Sequence, residues 1–171
     1  TCALPIYLAW QRDEVVLHGQ HYITERKVVW YGDEHYQYRY SGSLKQAQAW
    51  NSGLFRLKQH IEGLIGHPFN SCLANLYEHG QQAVGWHSDD EPSLVSKAGH
   101  ETVIASLSFG ATRKMRFKHK VQPEHIDVLL QSGQLIVMRG QTQKYWKHCI
   151  SKTAKVLDPR INLTFRYFFP G

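Results

Sequence analysis

The sequence predicts a mainly β protein with a single amphipathic helix, and three observations lead there. From Phe69 onward apolar and polar residues alternate at period 2 in short runs broken by turn residues, most clearly at Val103 to Phe109, Gln134 to Met138 and Ile161 to Phe168. One segment, residues 53 to 65, carries helical spacing instead: Leu54, Leu57, Ile61, Leu64 and Ile65 form a core stripe, and Gly66 is placed to stop it. No internal repeat, low-complexity tract or Pro/Ser-rich linker marks a boundary, so residues 1–171 are expected to form one domain. A double-sheet jelly roll backed by the helix accommodates these elements around a central site.

Composition narrows the function class. A chain of 171 residues with 42% hydrophobic content can bury a real core, and no stretch approaches the roughly 18 apolar residues of a membrane span. No membrane partner is expected. The three cysteines, Cys2, Cys72 and Cys149, are odd in number and scattered, which argues for a reducing compartment rather than a disulfide framework. No secretory pattern is visible at the start, and the expected location is the cytoplasm of a bacterium or the nucleus of a eukaryote. A net charge of +6 favours a polyanionic partner.

In chain order, residues 15 to 40 read as short aromatic-rich strands, and Tyr36 to Gly42 interleaves tyrosines with charge in a way that suits stacking on a base. In Phe69 to Glu78, alternation puts Ser71, Leu73, Asn75 and Tyr77 on one side. Trp86-His87-Ser88-Asp89-Asp90-Glu91-Pro92 follows. In an extended strand, residues i and i+2 share a side about 7 Å apart, so His87 and Asp89 can converge on one ion while Ser88 faces away. His148, from a distant segment, is placed to supply a third ligand, with Cys149 turned away from it. Two imidazoles and one carboxylate leave open metal positions, the ligand set of non-haem Fe(II) oxygenases; zinc is chemically possible at the same triad. From Arg113 to Lys120, alternation sets Lys114, Arg116, Lys118 and Lys120 on one face as a basic ribbon able to sit on phosphates, with Lys144, Lys147, Lys152 and Lys155 near His148. The last strand puts Arg160, Asn162, Thr164 and Arg166 on one face and Ile161, Leu163, Phe165 and Tyr167 on the other. Two guanidinium forks flanking an amide and a hydroxyl suit a dicarboxylate, although a solvated basic edge would carry the same residues. His60 and His67 are assigned no role.

Asn75-Leu76-Tyr77, Trp86 to Glu91, Ala105-Ser106-Leu107-Ser108-Phe109-Gly110-Ala111-Thr112-Arg113, His148 and Arg160-x-Asn162-Leu163-Thr164-Phe165-Arg166 together resemble the AlkB family of 2-oxoglutarate-dependent nucleic-acid dealkylases. The resemblance runs from about Tyr31 to the C-terminus, and Asp89-Asp90-Glu91 looks more like the animal DNA-repair homologues than the founding bacterial enzyme. It implies a double-stranded β-helix with flanking helices, in which residues 1–66 form lid hairpins and a backing helix and residues 67–171 the jelly-roll core. His87, Asp89 and His148 would hold Fe(II), and Asn75, Tyr77, Arg160, Asn162, Thr164 and Arg166 would surround 2-oxoglutarate. Arg160 would clamp the distal carboxylate, with Arg166 near the end that chelates iron and counted with the triad as catalytic.

The substrate side follows from the same resemblance. Asp90 and Glu91 would face the base, and Tyr38, Arg39 and Tyr40 match the lid, with Tyr38 as the stacker opposite the His87 imidazole. Leu17-His18-Gly19 falls where duplex-acting relatives carry a finger, and His18 would fill a gap less well than a bulky apolar wedge, which keeps single strands in view. Members of the family consume 2-oxoglutarate and O₂, release succinate and CO₂, and hydroxylate an N-methyl group so that formaldehyde leaves. The expected function is oxidative dealkylation of bases such as 1-methyladenine and 3-methylcytosine in DNA by a monomer. The alternatives are the same chemistry on methylated RNA or protein, and a non-catalytic basic nucleic-acid-binding module with a structural metal. A structural site usually closes four ligands, and this triad offers three.

Overall fold

In a computed structural model, residues 7–17, 19–33, 37–40, 43–94 and 101–169 are described, with backbone alone at 15–17, 37–40 and 43–45. The chain opens with β1 (Gln11–Leu17) and β2 (Gln20–Gly32), then β3 (Gln37–Tyr40) and β4 (Ser43–Gln46), before helix α1 (Ser52–Ile65). β5 (Ser71–Tyr77) and β6 (Val84–His87) follow, then β7 (Ile104–Gly110), β8 (Arg113–His119), β9 (His125–Leu130) and β10 (Leu135–Met138). A one-turn helix α2 (Thr142–Tyr145) leads into β11 (Trp146–Ile150), and β12 (Arg160–Arg166) ends the core. The mainly β, antiparallel architecture is the expected jelly-roll arrangement. A six-stranded sheet runs β1-β2-β5-β12-β7-β10, a four-stranded sheet β6-β11-β8-β9, and β3-β4 form a separate hairpin.

Two apolar layers hold these sheets. On one face of the larger sheet, Val29, Ala74, Leu76, Ile161, Leu163 and Phe165 pack with Leu54 and Ile61 of α1. Between the sheets, Ile104 and Met138 meet Met115, Phe117 and Ile150. The polar face of β12 is thereby turned inward, into the space between the sheets.

Two expectations are corrected. Several strands do occupy residues 15 to 40, but β2 is not short and runs 13 residues. Its first half pairs only with β1, and Lys27 onward also pairs with β5. An exposed hairpin arm has no buried face, so no alternation announces its length. In α1, Asn51 accepts from the Leu54 N–H at 2.9 Å and Gly66 closes the helix at φ 71°. Leu64, however, is 65% exposed, whereas Lys58 is buried. At 100° per residue Leu64 sits about 80° from Leu54 and Lys58 about 40°, so the lysine lies within the stripe. Its ammonium is neutralised by Glu62 at 3.0 Å and lies over the Trp50 and Phe55 rings.

Arg113 lies over the Tyr77 ring at 5.7 Å and holds two turns together. Its Nη2 donates to the carbonyls of Gly80 (3.1 Å), Gln82 (2.9 Å) and Ser151 (2.8 Å), tying the turn after β5 to the end of β11. Gly80 is required there, because a Cβ would lie 2.3 Å from the Thr153 carbonyl oxygen. Arg113→Leu leaves the Gln82 and Ser151 carbonyls without this donor, while the Gly80 carbonyl keeps the Thr153 N–H at 2.9 Å, an expected loss of about 1–3 kcal/mol. Urea unfolding should register that loss, while Lys114→Ala on the exposed side of β8 should change stability by about 0.5 kcal/mol or less.

Candidate metal centre and cosubstrate pocket

His87 ends β6, and His148 stands directly opposite it on β11. Pairing of neighbouring strands brings the two rings to a centroid distance of 4.2 Å. Asp89 completes the cluster from beyond the end of β6, a correction to the reading of both residues on one extended strand. Two side-chain bonds direct the chain there: the Ser88 hydroxyl donates to the Trp146 carbonyl at 2.9 Å, and the Asp89 N–H donates to Gln143 Oε1 at 2.9 Å. One candidate ligand atom from each of His87, Asp89 and His148 lies within 4.8 Å of the others. Cys149 projects to the opposite face of β11, near Ser151 Oγ at 3.7 Å.

Tautomer and charge suit a cation. His87 Nδ1 lies 2.8 Å from the Gly85 carbonyl, so it carries the proton and leaves the Nε2 lone pair facing Asp89 at 3.8 Å. Burial first, then the neighbouring His87, pull the His148 pKa down to about 4 against the opposing effect of Asp89. The 3.9 Å approach of His148 to Asp89 is therefore a contact of neutral imidazole with carboxylate. Burial raises the Asp89 pKa, but Arg166, His87 and His148 outweigh it and hold the carboxyl below its ordinary range. Arg166 Nη2 meets Asp89 Oδ1 at 3.1 Å, whereas Oδ2 is buried with no hydrogen-bond partner. A carboxylate set against two imidazoles, with one oxygen left unpartnered, fits a divalent ion.

Behind the triad, between the sheets, is a small cavity of about 60 Å³ bordered by Asn75, Tyr77, Arg160, Asn162 and Thr164. Arg160 is 2% exposed. Its Nη2 donates to Ser108 Oγ at 3.0 Å and its guanidinium lies 5.4 Å from the Tyr77 ring centroid, but Nε and Nη1 are buried without hydrogen-bond acceptors. Such a cation fits an anionic group that completes its fork. Asn162 and Thr164 serve the frame: Asn162 Nδ2 donates to Ser106 Oγ at 2.7 Å, and the Thr164 hydroxyl donates to Asn162 Oδ1 at 2.9 Å.

Arg166 borders a second cavity of about 320 Å³, walled by Trp30, Glu91, Leu94 and Phe168. Glu91 lines this space, whereas Asp90 is exposed and paired with Lys120 at 3.1 Å. Gln46, at the end of β4, also borders it, which brings the β3–β4 hairpin alongside. Tyr38, Arg39 and Tyr40 lie on β3, opposite Lys45, Leu44 and Ser43, and their side chains fall outside the described residues. His18 lies outside them altogether; its neighbours Leu17 and Gln20 pair, with Gly19 at φ 78°.

The ribbon on β8 alternates as expected, with Met115 and Phe117 buried, but its charges have neighbours. Lys114 and Arg116 share Asp127 at 3.0 and 3.1 Å, and Lys118 lies over Trp86 at 4.7 Å. Sequence reasoning passed over Arg26 and Gln143. Arg26 donates Nε to Asn75 Oδ1 at 2.9 Å inside the small cavity, yet Glu25-Arg26-Lys27 reads as a solvated charge run. Only the pairing of β2 beside β5 brings it there.

The chain matches the 2OG-Fe(II) oxygenase superfamily over residues 9–166. It is 40% identical over 168 residues to the alpha-ketoglutarate-dependent dioxygenase alkB homolog 3 of Bos taurus, covering 93% of this chain and 55% of that protein. It is 34% identical over 165 residues to the DNA oxidative demethylase ALKBH2 of Mus musculus, covering 92% and 67%. The chain thus spans about half to two thirds of the length of these relatives. "The structure of OsALKBH1" shares the fold at 16% identity, with a TM-score of 0.58 over 91% of this chain and 80% of the other. The chain belongs to the 2OG-Fe(II) oxygenase superfamily and, within it, to the AlkB family.

A depressed His148 pKa has a consequence for the metal-free protein. The unfolded chain takes up this proton near pH 6.5 and the folded one only near 4. The unfolded state therefore binds more protons between those values, and stability falls as pH drops through that window. In denaturant titrations, the ratio of parent to His148→Gln stability should decline from pH 7 to pH 5, with no such trend between pH 7 and 8.

Proposed function

We propose that this chain is an Fe(II)- and 2-oxoglutarate-dependent dioxygenase that removes alkyl groups from ring nitrogens of nucleic-acid bases, with 1-methyladenine and 3-methylcytosine in DNA as its substrates. The observation that carries the reading is Arg160, a buried guanidinium with two unpartnered N–H groups in a cavity closed at its other end by His87, Asp89 and His148. In this reading the triad holds Fe(II), Arg160 binds the distal carboxylate of 2-oxoglutarate, and Tyr77 and Ser108 orient the guanidinium. Arg166 keeps Asp89 ionised at the junction of the two cavities. Bound there, iron supplies the redox chemistry by which O₂ converts 2-oxoglutarate to succinate and CO₂ and an N-methyl group is hydroxylated, to leave as formaldehyde.

The larger cavity is the substrate side of this proposal. Its volume of about 320 Å³ falls in the range of small-molecule sites. Trp30 offers an aromatic wall, and the Glu91 carboxylate suits the exocyclic amino group shared by both bases. A base inside a duplex cannot enter such a recess, so it arrives flipped out or from a single strand. The hairpins β1–β2 and β3–β4 form the cover.

The deciding experiment incubates protein with Fe(II), 2-oxoglutarate and a 3-methylcytosine oligonucleotide without oxygen, then admits air. Loss of one methyl mass with formaldehyde release is expected. Succinate without a change in the oligonucleotide would move the substrate to RNA or protein, and no turnover of 2-oxoglutarate by folded protein would overturn the reading. For Arg160→Leu, loss of a charge-assisted bond of about 1.5–3 kcal/mol should raise the KM for 2-oxoglutarate by about 10- to 100-fold. An unchanged KM would remove Arg160 from the cosubstrate site.

A further inference from the structure

Asp89 lies two residues beyond the end of β6, where no ladder bond fixes its main chain. Its N–H is taken up instead by Gln143 Oε1 at 2.9 Å. We propose that Gln143 is a positioning residue of the metal centre, holding the Asp89 main chain so that the carboxylate points between His87 and His148. The inference rests on the reading of that triad as metal ligands.

Gln143 is 6% exposed although its helix, Thr142-Gln143-Lys144-Tyr145, is polar throughout. Burying a primary amide is costly unless its polar atoms are satisfied, so its partners carry its purpose. The amide is oriented from its other end, where Nε2 donates to Met138 Sδ at 3.5 Å and leaves the oxygen toward Asp89. Its main chain is fixed as well, since Lys120 Nζ donates to the Gln143 carbonyl at 2.8 Å. α2 runs directly into β11, so the residue that sets Asp89 is joined by one rigid turn to the strand bearing His148. Asp89 is thus gripped at its N–H by Gln143 and at Oδ1 by Arg166, and Oδ2 is left for a cation.

Cobalt(II), whose visible spectrum reports coordination geometry, is the probe. It would be titrated into the metal-free parent, Gln143→Leu, Gln143→Glu and His87→Ala, each well below its melting temperature. Gln143→Leu should bind cobalt about tenfold or more weakly, in the range of lost outer-shell partners, with an altered spectrum. Gln143→Glu keeps an acceptor for the Asp89 N–H and should restore most of the affinity even though it cannot donate to Met138. If the leucine variant does not fold, Gln143→Met, similar in shape and lacking the amide oxygen, carries the same expectation. Parent-like affinity and spectrum in the folded Leu or Met variant would overturn the inference, as would equal losses in the Glu variant. Cobalt binding undiminished in His87→Ala would overturn the triad reading, and this inference with it, whereas binding lost there but intact in Gln143→Leu would overturn this inference alone.

Discussion

The contact between Asp89 and Arg166 constrains everything around it. A carboxylate with 4% exposure stays ionised only where positive charge offsets its lost hydration, and Arg166 supplies that charge from 3.1 Å. Arg166 ends β12, which lies between β5 and β7 in the larger sheet, whereas Asp89 extends from β6 at the edge of the smaller one. The pair therefore fixes one sheet against the other at the mouth of the space between them. Buried ion pairs rarely add net stability, so the apolar layers must hold the fold while this contact fixes a geometry.

That geometry demands one register of β12. Slipping the strand by a single residue would turn Arg160, Asn162, Thr164 and Arg166 toward α1 and send Ile161, Leu163 and Phe165 into the polar cavity. Both errors are expensive: Leu163 and Phe165 are fully buried against the helix-facing layer, and Arg160 would lose Ser108 and Tyr77. Pairing on both edges, Leu163 with Ala74 and with Leu107, secures the same register by main-chain bonds. Packing, ladder and charge thus agree on one arrangement, the condition under which a sequence specifies a single structure.

What was legible in the sequence is what period 2 and residue chemistry state together. The two faces of β12 and the inward set Asn75 and Tyr77 follow from alternation, and His87, Asp89 and His148 stand out as ligand types, although alternation does not place Asp89. Features decided by tertiary contact were not legible. Lys58 takes a core position because Glu62 neutralises it and two aromatic rings cover it, which helical spacing of apolar residues cannot express. Asp89 lies beyond the strand because Gln143 accepts its N–H, and a glutamine in a polar four-residue helix carries no local mark of that task. Arg26 enters the small cavity through strand pairing, and Arg113 acquires its carbonyl partners only when two turns meet.

The basic ribbon separates pattern from effect. Alternation on β8 is as the sequence implies, yet counting cations overstates the field they make. Lys120 is matched by Asp90, and Lys114 and Arg116 divide one carboxylate, which leaves that pair a single excess charge. Lys118 lies over the Trp86 ring, and Lys147, directly across from it on β11, is exposed. The surplus therefore gathers where β6, β11 and β8 run side by side, on the outer face of the sheet whose inner face carries both imidazoles. With screening over roughly 10 Å at moderate salt, it acts on an anion close to that face far more than on one approaching β9. The charge that distinguishes this surface is thus set by which carboxylates stand beside which cations, and not by the overall value of +6.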